Sequence, residues 1–134
     1  MWTKFCNAAQ PGAVTRVALR YVNRIKVLED SSPGEYLNIG VRLSGKLGES
    51  LAEYENPYNV QLQLNDDRRR ASAIVRCFSE PNTPAHILDI DVFRTGDFSP
   101  TDDELWNIFD ELRDWKNELF FATTTEKARE GFRQ

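Results

Sequence analysis

The sequence predicts an α+β domain, a mainly antiparallel sheet of about four strands packed against one long C-terminal helix. Three observations predict it. The run from Val14 to Val27 alternates with period two. Residues 60–77 alternate in two halves around a turn-forming cluster. Residues 105–119 carry apolar side chains at three-four spacing. A chain of 134 residues accommodates these in one domain, residues 1–134, with a core of its own.

Taken in order, residues 1–10 are helical or irregular, with Trp2 and Phe5 three apart as an anchor, and Gln10-Pro11-Gly12 ends them. In the first strand Val17, Leu19, Tyr21, Ile25 and Val27 share one face, and Arg16, Arg20, Arg24 and Lys26 share the other. A loop follows from Glu29 to Gly34. Residues 34–55 read as short helical turns, because glycines at 40, 45 and 48 weaken a continuous helix. Val60, Leu62 and Leu64 alternate with glutamines, Asn65-Asp66-Asp67 supplies turn chemistry, and Ala71, Ala73, Val75 and Cys77 alternate again. After the connection 80–84, the last strand runs from His86 to Phe93, with Leu88, Ile90 and Val92 opposite Asp89 and Asp91. Ser99 suits a helix cap, Pro100 the first helical position, and Asp102, Asp103 and Glu104 the positive end of the helix dipole. Leu105, Ile108, Leu112, Trp115 and Leu119 form the buried stripe, widened by Trp106, Phe109 and Phe120. Thr123–Thr125 interrupts it, and a short capped helix from about Glu126 to Phe132 follows.

The composition excludes several classes. An aromatic content of 11% with a net charge of only −4 argues against disorder. No apolar run approaches the roughly 20 residues of a membrane span, and Met1–Phe5 lacks the apolar segment of a signal peptide, so a cytoplasmic protein without membrane contact is expected. Cys6 and Cys77 make no disulfide framework, and with the single His86 they make no zinc set. No cofactor and no metal are expected. Residues 1–60 hold seven Lys/Arg and six Asp/Glu, and residues 61–134 hold ten and fifteen, so the chain lacks the basic footprint of a general nucleic-acid binder.

Trp2-x-x-Phe5, then Arg16-Val17-x-Leu19-Arg20-Tyr21-x-Asn23-Arg24-Ile25, then Leu88-Asp89-Ile90-Asp91, then a helix ending near Phe120 with threonine-rich capping, resembles a family of bacterial and archaeal proteins. Its members are sporadically distributed, about twice this length and of unassigned function. The likeness covers nearly all of this chain but only the C-terminal half of a typical member. It implies no catalytic residues. It implies that a sheet edge covered in the longer relatives is covered here by another copy, so a homodimer or larger assembly is expected. A sporadic distribution suits a defence or toxin–antitoxin system.

Four groups of residues are candidates for function. Arg16, Arg20, Asn23 and Arg24 would form an anion pocket, since guanidinium forks fit carboxylate and phosphate. Asp89 and Asp91 would instead turn the same row into an ion-paired face if the first and last strands are neighbours; alone they would offer Mg²⁺ only two carboxylates. Arg68, Arg69 and Arg70 would contact phosphate or compensate Asp66 and Asp67. Trp106 and Phe121 would serve a partner if exposed. His86, at a strand start with no activated serine, is expected at an edge, and Cys77 in the core. The leading expectation is a non-enzymatic interaction or assembly module, homo-oligomeric and part of a larger complex with a protein partner. The alternative is an anion- or nucleic-acid-binding domain.

Overall fold

In a computed structural model, residues 1–29, 31, 33–39, 59–101 and 103–133 are described. The chain is α+β. Helix α1 (Trp2–Ala9) precedes strand β1 (Val14–Lys26). Strands β2 (Asn59–Asp66), β3 (Ala71–Ser79) and β4 (Ala85–Phe98) follow, then helices α2 (Glu104–Thr123) and α3 (Glu126–Glu130). The four strands form one antiparallel sheet in the order β1-β4-β3-β2. Helix α2 packs chiefly on β1 and β4. That is narrower than a helix laid over the whole sheet.

The period-two pattern sorts the side chains onto two faces. On the inner face the register sets Tyr21, Ile90, Val75 and Leu62 in one row, and Asn23, Leu88, Cys77 and Val60 in the next. Leu88, Ile90, Val75 and Cys77 are fully buried there with Ile108 and Leu112 of α2. Tyr36, Leu37 and Ile39 belong to the same core. The other residues read as helical turns within 34–55, Gly40 onward, lie outside the described residues.

Two expected boundaries move. β4 continues five residues past Phe93, to Phe98, and α2 begins at Glu104 rather than at Pro100. Ser99 does not cap it. Asp103 stands at the cap position without a side-chain hydrogen bond, and Asp102 lies outside the described residues. The cause is tertiary: Pro100 is buried, and its carbonyl accepts a 2.8 Å hydrogen bond from the indole nitrogen of Trp2. The Cys6 thiol lies 3.8 Å from the same oxygen. Trp2 is thus an anchor, as its spacing from Phe5 implies, and it fixes the β4–α2 corner. At the far end Thr125 caps α3, accepting from the Ala128 amide. The Thr125 amide donates to the Tyr36 carbonyl at 2.9 Å.

Candidate functional site

The outer face of the sheet collects the charged residues that the sequence singles out. Four rows cross all four strands there: Arg24, Ile87, Phe78 and Asn59; Val22, Asp89, Arg76 and Gln61; Arg20, Asp91, Ile74 and Gln63; Ala18, Phe93, Ser72 and Asn65. The first and last strands are neighbours, so the arginine row and the aspartate pair share this face.

Each arginine leans toward the C-terminal end of β1 and reaches a carboxylate. Arg20 makes a two-pronged contact: Nε donates to Asp89 Oδ1 at 2.9 Å, and Nη2 to Asp89 Oδ2 at 2.7 Å. Asp89 is 5% exposed, so this fork takes most of the acceptor capacity left by burial. The hydrogen bond with Asp89, then its charge, raises the Arg20 pKa. Arg16 passes over the Phe93 ring, 4.5 Å from its centroid, and donates to Asp91 at 2.9 Å. Arg24 donates to Glu80 at 2.7 Å, which lowers the Glu80 pKa. The row is a ladder of ion pairs, not an open anion pocket. Asp89 and Asp91 face guanidinium groups, an environment that opposes a cation. Among the described residues no three His, Cys, Asp or Glu cluster closely enough to hold a metal ion.

Asn23 does not join the arginines. Its odd number places it on the inner face, where it is buried and its amide donates to the Leu88 carbonyl at 3.4 Å. The arginine triplet also separates. Asp66 accepts from the backbone amides of Arg68 and Arg69 at 2.9 and 3.1 Å. The Arg69 guanidinium binds Asp66 at 2.6 Å and both Glu118 oxygens at 2.9 Å. Arg94 also donates to the Arg69 carbonyl. Arg69 therefore ties the β2–β3 turn to α2. Arg68 and Arg70 are exposed.

His86 is not an edge residue. β4 is an inner strand of the sheet, and His86 is buried on its inner face, 3.3 Å from the Ser79 hydroxyl. Burial lowers its pKa from 6.5. The unfolded imidazole takes a proton near that value while the folded one resists, so stability falls as pH drops below about 6.5 and is unaffected above it. Asp66 and Glu80 also have lowered pKa values, but they start from 3.8 and 4.5 and act at more acidic pH. Urea midpoints between about pH 7 and about pH 5 should therefore decline in the native chain and stay flatter in His86→Gln. Equal declines would mean that another group titrates. Cys77 is fully buried, and burial pushes its thiol pKa up to about 12, so it is a core residue as its alternation implies.

The free side of β1 is the feature that single residues do not announce. The Val27 amide donates to the Pro84 carbonyl at 2.9 Å, one step beyond the Lys26 and Ala85 pair that ends the β1–β4 register. Hydrogen-bonded pairs alternate in an antiparallel ladder. The odd residues from Val17 to Ile25 therefore bond to β4, while Ala18, Arg20, Val22, Arg24 and Lys26 turn their N–H and C=O groups away from it. Among the described residues no strand takes them up. Val22 is 58% and Tyr21 47% exposed. Trp106 at 54% and Phe121 at 61% are exposed too, as an interface role requires. Trp106 lines a cavity of about 400 Å³ with Trp2, Val17, Ala18, Leu105 and Phe109, beside the N-terminal half of β1.

An α+β domain with an internally neutralised arginine face and a first strand that no described strand pairs on its outer side is the class that these features define. No protein-family model, curated protein or solved structure matches the chain. No helix among the described residues is long and apolar enough to cross a membrane.

Proposed function

We propose that this protein is a non-enzymatic assembly module whose first strand pairs with that of a second copy, extending the sheet across a two-fold axis. The observation that carries this reading is the side of β1 that no described strand pairs, in a 13-residue strand with outward backbone groups at every second position from Ala18 to Lys26 and an exposed Val22. An exposed edge of this length is a template for strand addition. The ion-pair ladder favours a second copy as occupant. Arg16, Arg20 and Arg24 each already hold a carboxylate, so two such edges meet with much of their like charge compensated. The aromatic cavity beside Val17 and Ala18 gives an incoming apolar side chain a seat next to the paired strands.

The test is sedimentation equilibrium at tens of micromolar. A mass near twice the 15.4 kDa of the chain is expected. A monomer at that concentration overturns the reading. The anion-binding alternative has less support on the sheet face, because its three strand arginines are committed to Asp91, Asp89 and Glu80.

A further inference from the structure

A second cleft, of about 520 Å³, lies at the C-terminal end of β1. Arg24, Ile25 and Lys26 form one wall; Tyr36, Lys127 and Phe132 stand among the residues of the others. It differs in kind from the cavity at Trp106, because three of its lining residues, Arg24, Lys26 and Lys127, are cationic. The alternation that governs β1 turns the backbone amides of Arg24 and Lys26 to this free side. Two amide donors therefore lie beside a cleft whose lining includes Arg24, Lys26 and Lys127.

The charges around the cleft can be followed one by one. Arg24 is engaged by Glu80 at 2.7 Å. Lys127 is engaged by Glu35 at 2.6 Å and sits 4.8 Å over the Tyr36 ring. Lys26 has no carboxylate partner among the described residues. Glu130 is the one acidic residue in the lining. The lining thus carries three cations against one anion, with Glu80 and Glu35 each taking up part of one cation. The remainder of the wall is apolar. Leu28 and Phe132 are exposed, and Ile25 and Ala128 close the floor from the core. Phe132 is held edge-on to Phe120, with centroids 6.0 Å apart, leaving much of its ring open.

We infer that this cleft binds a small aromatic anion of about mononucleotide size, its phosphate or carboxylate on the Arg24–Lys26 edge and Lys127, and its ring against Phe132 and Leu28. The volume falls within the range of small-molecule sites, and cations with oriented amides favour an anionic head. Self-pairing of β1 would draw on the same Arg24 and Lys26 amides, so the cleft is that of the unpaired chain, and its ligand and a second copy compete for this end of the strand.

The experiment is an amide NMR titration of the full chain with adenosine 5′-monophosphate and, separately, with indole-3-acetate. Saturable shifts at Lys26, Lys127 and Phe132 are expected with at least one probe, and the better probe tells phosphate from carboxylate. Adenosine and inorganic phosphate alone should each bind more weakly, since each supplies half of the contact. The double variant Lys26→Met, Lys127→Met should weaken binding by about tenfold or more. Both positions are exposed, and its spectrum reports whether the fold is kept. Lys26→Met alone, which removes no ion pair among the described residues, is the fallback. No saturable shift with either probe in the low millimolar range overturns the inference. So does unchanged affinity in a folded variant.

Discussion

Replacing Ile90 by alanine is expected to destabilise the fold by about 2–5 kcal/mol, and Ile90→Val by about 0.5–1.5 kcal/mol. Ile90 has no exposed surface. It lies in the middle of β4, the strand that pairs with both β1 and β3, with Tyr21 and Val75 directly opposite. It faces the α2 side and belongs to the core shared with Ile108 and Leu112. Truncation there removes buried methyl groups and leaves a space whose walls belong to a sheet and a helix, neither of which collapses easily. A domain with a total stability of about 5–15 kcal/mol feels such a loss strongly. Urea titration by circular dichroism measures it. Gln63→Ala, exposed on the outer face of β2, serves as the control and should change stability by less than about 0.5 kcal/mol. If Ile90→Ala cost no more than that control, the inner rows could not be closed as described.

If β1 pairs with a second copy as proposed, Val22→Pro is expected to dissociate that pair without unfolding the chain. Val22 is an even residue, so its amide points away from β4 and its loss breaks no bond inside the sheet. Proline is tolerated on the free side of an edge strand for this reason, whereas it is excluded where both sides are paired. In a β1–β1 pair the same substitution removes a donor at a central position and opposes a ring to the incoming strand. A carbonyl left without its donor costs about 1–3 kcal/mol, or roughly tenfold to hundredfold in the dissociation constant. Val22→Thr keeps the donor and the branched side chain and should assemble normally. The expected readout is a monomer mass in sedimentation for the proline variant, with unchanged far-ultraviolet circular dichroism. A proline variant that sediments as the native chain does would exclude pairing through this edge.

What the sequence could reveal depended on how local the determining interaction was. Period two alone assigned Val17, Ile25, Leu88, Ile90 and Val92 to the interior and the arginines to the exterior, because burial of one sheet face imposes that pattern on every strand. The same parity places Asn23 inside, away from Arg20 and Arg24; grouping it with them followed side-chain chemistry where geometry decides. Ser99 and Pro100 have the form of a helix start, but the Trp2 indole claims the Pro100 carbonyl from 98 residues away, and no local signal records that. The burial of His86 depends on β4 being an inner strand, which is a matter of strand order. The outward phase of β1 rests on which residue of a pair bonds across the ladder, and the sequence does not encode that in any single position. The cleft at Lys127 and Phe132 joins the end of β1 to the last helix, and it too appears only once the chain is folded.

The strand order has a temporal meaning. β1 is made first, yet Asp89 and Asp91, which answer Arg20 and Arg16, lie 69 and 75 residues further along. Until that later stretch leaves the ribosome, the guanidinium row stays hydrated and repels any similar segment nearby. Distant pairings of this kind close late in folding. Under the proposed pairing, the nascent strand would be guarded against premature sticking until its own carboxylates have come home.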